Sequence, residues 1–217
     1  MLWHKTIKVR KISPEIAQST KRSDTKYRKR KWEDIMQNLI EKIHNCKKCE
    51  WLNCKSNKTL SSPWYGNIKS KAIFYWSSVG WSGEERVIPF ASGSGRLLDK
   101  IFALANIKKE DIYLSNAVKC RLPNLRSPKD SELENCKSHI LEEIKIIKPE
   151  IIVPMWSFAT KTFLWNFWKL EDVVYKEFVF QWIKIIPMFH PAYIMRWIWD
   201  KNKYINKMIE LFTLNRQ

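Results

Sequence analysis

Polar side chains that could do chemistry follow or interrupt three apolar stretches of the chain. Ser77 and Ser78 come directly after the first stretch, Asn116 interrupts the second, and His190 follows the last. If these stretches are parallel strands, their carboxyl ends meet at one edge of the sheet, where open α/β sheets bind ligands. The amide of Asn116 can donate and accept together, which suits recognition of a base edge. The sequence therefore predicts a ligand site at this edge. A turn-capping asparagine and a buried core histidine are the alternatives at the individual positions.

The segment after the first apolar stretch holds most of the glycine in the chain. Residues 77–95 contain four of the five glycines, Gly80 and Gly95 among them. Long glycine-rich segments that directly follow a strand are commonly ligand loops. Beyond Gly95 apolar residues recur at helical spacing, and the N-terminus of such a helix favours an anion. We therefore expect a ligand loop that leads into a helix.

Cysteines form a second group with potential chemistry. Cys46 and Cys49 are separated by two residues after a helical stretch, so both thiolates could reach one metal. A lone pair at this spacing also occurs in redox proteins. Cys120 and Cys136 lie far along the chain, and Cys54 closely follows the first pair. In a reducing compartment such cysteines remain thiols or bind metal.

Strand-like and helix-like stretches alternate along most of the chain. This alternation predicts a mainly parallel sheet covered by helices on both faces. We therefore expect an α/β fold, a three-layer α/β/α sandwich with a central, mainly parallel four-stranded sheet. The predicted strands are 72–76, 111–118, 150–155 and 183–188, the predicted helices are 32–44, 95–105, 131–147, 157–164 and 200–214, and 55–70 and 165–180 are expected to be loops, the latter with a hairpin as an alternative.

Length and charge limit the class of protein. The chain of 217 residues is long enough for one domain with a full core, and 45% of its residues are hydrophobic. A net charge of +17 favours a polyanionic partner such as nucleic acid, with a solvated lysine-rich surface as the alternative. Residues 1–30 are basic and lack core-forming periodicity. We expect a flexible arm over 1–30 and a folded domain over 31–217.

Membrane insertion and secretion are not expected. No apolar run approaches the length of a membrane span. The charged start of the chain lacks the apolar segment of a secretion signal. We therefore expect a cytoplasmic protein, and we expect it to be a monomer.

Several ordered motifs span residues 40–212. They lie at positions 46–49, 63–67, 89–90, 95–98, 113–123, 126, 128, 136, 148–149 and 190–196. Together they resemble the family 4 uracil-DNA glycosylases, the iron–sulfur branch of that superfamily. The resemblance implies that fold and a DNA repair enzyme. Such an enzyme flips uracil out of DNA and hydrolyses its N-glycosidic bond, leaving an abasic site.

The resemblance implies a structural [4Fe–4S] cluster held by Cys46, Cys49, Cys120 and Cys136. Four thiolates suit such a cluster, and zinc is the alternative occupant of a four-cysteine site. Cys54 is left without a role.

The resemblance also implies roles at the sheet edge. Phe90 stacks on the extruded uracil, Asn116 reads its edge, and His190 stabilises the charge that grows on uracil O2 as the bond breaks. The segment 190–196 is expected to be a loop that presses into the duplex. The other implied positions are Trp76, Ser78 and Gly80 in the lining of the base pocket, and Pro191, Arg196 and Arg126 at the DNA.

The chain departs from the family pattern Gly-Glu-Ala-Pro-Gly at residues 76–80, which read Trp-Ser-Ser-Val-Gly. Ser77 stands where the family has the acidic residue that helps to position water, and a hydroxyl cannot act as a carboxylate base at neutral pH. We keep Ser77 in the catalytic set with two alternatives to uracil excision. One is a weakened or inactive iron–sulfur homologue that binds DNA, and the other is a glycosylase for a different damaged base.

Tryptophan and glycine occur in unusual numbers. The chain has 12 Trp and 5 Gly, whereas average usage gives roughly 15 glycines at this length. Trp64, Trp76, Trp156 and Trp182 fall where the family has glycine or where a turn needs one. The hypothesis is that several of them are glycines encoded by UGA, which some bacterial lineages read as glycine. Genuine divergence is the alternative.

Overall fold

A computed structural model of the chain describes residues 34–49, 52, 64–79, 93–198 and 201–214. The chain divides into two compact units, Met1–Asn38 and Leu39–Gln217. In the first unit the described residues 34–38 are helical. The predicted basic arm, residues 1–30, lies outside the described residues. The second unit contains the sheet and its helices.

The strands of the described part are β1 (Trp64–Gly66), β2 (Ala72–Val79), β3 (Tyr113–Arg121), β4 (Ile151–Pro154), β5 (Phe178–Phe180) and β6 (Ile183–Ile185). They form one sheet in the order β1-β3-β2-β4-β6-β5. The four central strands are parallel, and β1 and β5 pair antiparallel at the two edges. The predicted α/β fold with four parallel strands is confirmed. The sheet is wider than predicted because residues 64–66, expected in a loop, and 178–180 add edge strands.

The helices of the second unit are α1 (39–44), α2 (Gly93–Ala105), α3 (Asp130–Ile147), α4 (Ser157–Lys161), α5 (Pro191–Trp197) and α6 (Asn202–Thr213). Helix α5 corrects the sequence-based expectation of a loop over 190–196. Pro191 is the first helical residue, where a missing N–H costs nothing, and His190 caps the helix by accepting the Ala192 N–H. Within the described residues, no helix is long and apolar enough to cross a bilayer.

Both faces of the sheet are covered, as the burial of β2 shows. Successive side chains of a strand point to opposite faces, yet residues 72–75 are all fully buried. The Phe74 ring lies 4.9 Å from that of Phe212 in α6, which in turn stacks on Phe102 of α2 at 4.6 Å. On the other face, the Tyr75 ring lies 5.5 Å from that of Phe163, just after α4. The sheet is therefore the middle layer of three.

A buried ion pair joins β3 to α3. Lys119 Nζ lies 2.6 Å from Glu143 Oε2, and the two side chains are 1% and 0% exposed. Three hydroxyls donate to the same carboxylate, those of Tyr75 at 2.9 Å, Tyr113 at 3.1 Å and Ser115 at 2.9 Å. Burial, and then the Glu143 charge, raise the pKa of both tyrosines well above the ordinary value, so both remain donors. The polar groups of this network satisfy one another and hold the helix against the strand.

Removal of one partner tests this network. We expect Lys119→Met to lower the free energy of unfolding by about 3–5 kcal/mol, because it leaves a buried carboxylate without its counter-ion. Urea titration measures the change. The double variant K119M/E143L removes both charges and should recover part of the loss. A K119M cost below about 1 kcal/mol, the value of a surface pair, would contradict a buried pair.

Candidate functional site

The pairing of β2 with β3 brings Trp76 next to Asn116. The two residues are direct partners in the parallel register, so their side chains lie on the same face of the sheet. This is the face of Phe74, which carries α2 and α6. Asn116 is buried, whereas Trp76 is partly exposed.

The predicted serines divide between the two faces. The alternation of the strand directs Ser78 to the side of Trp76 and Ser77 to the opposite side. Both hydroxyls are partly buried. Ser78 therefore lies on the side of the predicted base pocket. The Ser77 side chain lies on the other side of the sheet, so only its backbone can border that pocket. Phe90 and Gly80, also predicted here, lie outside the described residues.

His190 lies at the same edge of the sheet as Trp76. It follows β6 and begins α5, and the chain just before it stays parallel to β4 through a bridge between Met155 and Met188. Its Nδ1 accepts the Ala192 N–H at 3.1 Å, and its Nε2 lies 2.9 Å from the indole nitrogen of Trp76. Desolvation by burial lowers the pKa of His190 to about 4, so the ring is neutral near pH 7.

The two hydrogen-bond partners of His190 make incompatible demands on a neutral ring. A neutral imidazole carries one N–H, and Nδ1 must be bare to accept the Ala192 N–H. In the tautomer that accepts the Ala192 N–H, the ring proton is on Nε2. The Trp76 indole is a donor only, and its bond to Nε2 requires the other tautomer, with the proton on Nδ1, so only one of the two bonds can form at a time. Without the indole, the Nε2–H of His190 would be an outward-facing donor.

A cavity of about 310 Å³ adjoins His190. Aromatic rings form much of its wall, with the Trp156 and Tyr193 centroids 5.4 Å apart. Arg196 also lines it and is exposed on α5. Aromatic faces with a nearby cation suit stacked bases and phosphate. The lining residues are Trp156, His190, Ala192, Tyr193, Arg196 and Trp197.

Two of the predicted DNA-contacting residues make contacts with other parts of the same chain. Pro191 is buried in the first turn of α5. The Arg126 guanidinium forms a two-pronged ion pair with Glu132 of α3, with one N–O contact at 2.9 Å. That hydrogen bond also helps to raise the pKa of Arg126 above its ordinary value. Contact of either residue with DNA stays a prediction.

The four predicted ligand cysteines line a single cavity. Cys46 and Cys49 follow α1, Cys120 is in β3, and Cys136 is in α3. Desolvation raises the pKa of Cys136 to about 11, with the nearby Cys49 and Cys46 adding to the shift. The Cys136 thiol is therefore protonated near neutral pH, and a metal that binds it must displace the proton. Within the described residues, no group of three or more Cys, His, Asp or Glu has the geometry to hold a metal ion.

His139 lines the same cavity and was missed by the sequence reasoning. Its Nε2 is buried and has no hydrogen-bond partner within the described part of the chain. Desolvation, and then the Lys119 charge, lower its pKa below the ordinary value. The sequence did contain a signal that could have identified His139. It lies three residues after Cys136 on one helix, which places the two residues on the same face.

Comparison with known proteins agrees with this architecture. The family model of the uracil DNA glycosylase superfamily matches residues 63–213. The match includes all six strands and both His190 and Asn116. The chain belongs to the uracil-DNA glycosylase superfamily.

The relatives narrow this assignment. The chain is 29% identical to a type-4 uracil-DNA glycosylase of Archaeoglobus fulgidus, over 75% of this chain and 84% of that protein. It is 29% identical to the type-4 enzyme of Thermotoga maritima, over 76% and 85% of the two chains. A third, from Sulfurisphaera tokodaii, is 28% identical over 73% and 75%. The predicted family 4 membership is confirmed.

The lowered pKa of His190 predicts a pH dependence of stability. The unfolded chain takes up a proton near pH 6.5, whereas the folded chain does so only near pH 4. Stability is therefore full above pH 6.5 and declines as the pH falls to about 4, by about 3 kcal/mol. Urea titrations over this range should show a shallower decline for His190→Asn. An equal decline in both proteins would show that His190 titrates normally.

Proposed function

We propose that this chain excises uracil from DNA by hydrolysing the N-glycosidic bond, which leaves an abasic site. The observation that carries the proposal is the neutral His190. In the tautomer whose Nδ1 accepts the Ala192 N–H, its single proton is on Nε2, at the sheet edge that Asn116 shares. Two polar groups that can read a pyrimidine thus lie at one edge of the sheet.

Recognition in this proposal uses an amide and an aromatic ring. The Asn116 amide donates to uracil O4 and accepts from N3–H, a pair of bonds that cytosine cannot match. Phe90 stacks on the flipped base, and Ser78 lines its pocket. Because Asn116 is buried, these bonds form away from competing water.

Catalysis rests on stabilising the leaving group. As the bond breaks, negative charge grows on uracil O2, and the Nε2–H of His190 donates to it. A neutral imidazole can do this without first losing a proton. The Ser77 side chain lies on the opposite face of β2, and a hydroxyl cannot take a proton from the attacking water as a carboxylate would. Stabilisation of the leaving group is therefore the larger part of the rate enhancement.

DNA is held next to this site by α5 in our proposal. The helix begins at the catalytic histidine, so a duplex seated against it delivers the flipped base to the pocket. Arg196 is exposed on this helix and reaches a phosphate, while Pro191 shapes the first turn. The net charge of +17 adds a non-specific attraction to the phosphate backbone.

We further propose that Cys46, Cys49, Cys120 and Cys136 hold a [4Fe–4S] cluster. All four line one cavity. The buried His139 Nε2 in the cavity wall has no hydrogen-bond partner among the described residues, as expected if a bound group supplies that partner. The donor set is all thiol, which is the set that such clusters prefer. When bound, the cluster ties the segment after α1 to β3 and α3.

Release of free uracil from a uracil-containing oligonucleotide tests the activity. Because the Trp76 indole lies against Nε2, we compare variants within a W76G parent. His190→Leu should lower the rate by about 10²–10³-fold, the usual loss when a donor to a developing oxyanion is removed. His44→Ala, at an exposed histidine of α1, serves as the matched control and should leave the rate unchanged.

A different outcome would favour the second candidate function. Ser77 and the covered Nε2 also suit an inactive homologue that only binds DNA. Tight binding of the oligonucleotide by the W76G parent without any uracil release would support that function. Release of another damaged base in place of uracil would indicate a glycosylase of different specificity.

Iron analysis tests the cluster. Protein purified without oxygen should contain about four irons per chain. Cys136→Ser should lose most of this iron and its visible absorption, whereas Cys54→Ser should retain both. One zinc per chain in place of iron would show a mononuclear site.

A further inference from the structure

We propose that positions 76, 156 and 182 are glycine positions, and that the protein made in its host carries glycine at all three, through UGA codons read as glycine. Two of these positions have backbone conformations that glycine adopts and tryptophan avoids. At the third, the indole fills the site where the base should bind, and this part rests on the proposed function.

Trp156 has the most restrictive backbone. Its φ is 89° and its ψ is 161°, a region that is essentially limited to glycine. The conformation is fixed from both sides. Its N–H donates to the Met188 carbonyl at 3.0 Å, and its carbonyl accepts from the N–H and hydroxyl of Thr160 at 3.0 and 2.9 Å. The strain therefore cannot relax without breaking the bond to Met188 or the bonds to Thr160 of α4.

Trp182 occupies the second position of a two-residue hairpin loop. Gln181 and Trp182 join β5 to β6, with φ values of 46° and 71°. Two positive φ values define the type I′ turn, for which Asn-Gly is the preferred pair. The Trp182 residue is 98% exposed, so no packing compensates for the strain. This is the position at which a hairpin of this kind takes glycine.

Trp76 conflicts with chemistry rather than with the backbone. Its indole N–H donates to the Nε2 of His190 and so requires a bare Nε2, whereas the Ala192 bond at Nδ1 requires the ring proton on Nε2. Its side chain also lies on the same face as its register partner Asn116. Glycine at position 76 would free the Nε2–H donor and open the space between Asn116 and His190.

Other residues show that the pattern is selective. Gly66 has a φ of 99°, and a Cβ there would lie 1.8 Å from the Ile112 carbonyl oxygen, so glycine is retained where it is indispensable. Among the other tryptophans, Trp64, Trp165 and Trp168 have no positive φ. The inference is therefore confined to positions 76, 156 and 182.

Paired substitutions separate the backbone effect from loss of the indole. At positive φ, glycine should be more stable than alanine, so W182G should melt roughly 2–6 °C above W182A. W156G should likewise melt above W156A. At Trp197, which ends α5, the order should reverse, because glycine is the poorer helix residue. If the glycine and alanine variants melt in the same order at positions 156, 182 and 197, the inference for 156 and 182 is overturned.

Activity tests position 76. W76G should release uracil about 10²–10³-fold faster than the unsubstituted chain, because Nε2–H becomes available. Equal activity of the two proteins would overturn the inference there. If neither protein is active while the melting order holds, the proposed function fails and the glycine positions remain. UGG codons at all three positions would overturn the whole inference, and UGA codons would support it.

We propose a second role that depends on the iron–sulfur proposal. The Nε2 of His139 is buried in the wall of the cysteine cavity and has no hydrogen-bond partner among the residues that the structure describes. We infer that it donates an N–H to a cluster sulfur, which would raise the reduction potential. His139 is then a positioning and tuning residue, not a ligand.

Electrochemistry tests this role. His139→Leu should keep about four irons per chain and shift the reduction midpoint to a more negative value. His139→Gln, which can still donate, should shift it less. An unchanged midpoint in H139L overturns the inference, as does loss of one iron, which would make His139 a ligand. If the unsubstituted protein binds no iron, the cluster itself is ruled out.

Discussion

The ion pair between Lys119 and Glu143 is the contact on which both candidate sites depend. The pair holds α3 against β3 in the interior, and three hydroxyls donate hydrogen bonds to the Glu143 carboxylate. Asn116 lies three residues before Lys119 on the strand, and Cys120 comes directly after it. On the helix, Cys136 lies seven residues, or two turns, before Glu143, on the same face. A shift of the helix along the strand would therefore displace the base-reading amide and the thiols together. Buried ion pairs contribute little net stability, but they can fix such a register.

The core of the fold could be predicted because parallel strands buried on both faces are continuous apolar runs. Residues 72–75 and 151–153 show this, and the polar residues that follow such runs mark the carboxyl edge. The edge strands could not be predicted well, since three residues carry no periodicity. The loop expected from His190 to Arg196 came from the family resemblance, whereas the structure shows a helix there, with Pro191 in its first turn.

The interior partnerships were beyond sequence reasoning for a different reason. A lysine within an apolar strand indicates a buried partner, but nothing local identifies Glu143, 24 residues away. The partner follows only from the register of α3 on β3. The same applies to His139, which looks like a surface residue until the helix face is known. His190 shows the opposite case. Its position after a strand was readable from the sequence, but its neutral state follows from its burial, which only the structure shows.

The glycine-poor composition gains a physical meaning when the backbone is considered. The path of the chain at position 156 is set by bonds to Met188 and Thr160, and at position 182 by the pairing of β5 with β6. In both places the surrounding structure dictates the conformation, and the side chain is the part that does not fit. Natural proteins are expected to break local rules mainly at functional sites. A hairpin tip with an indole exposed to solvent has no such function. The disagreement therefore lies in the identity of the residue and not in the fold.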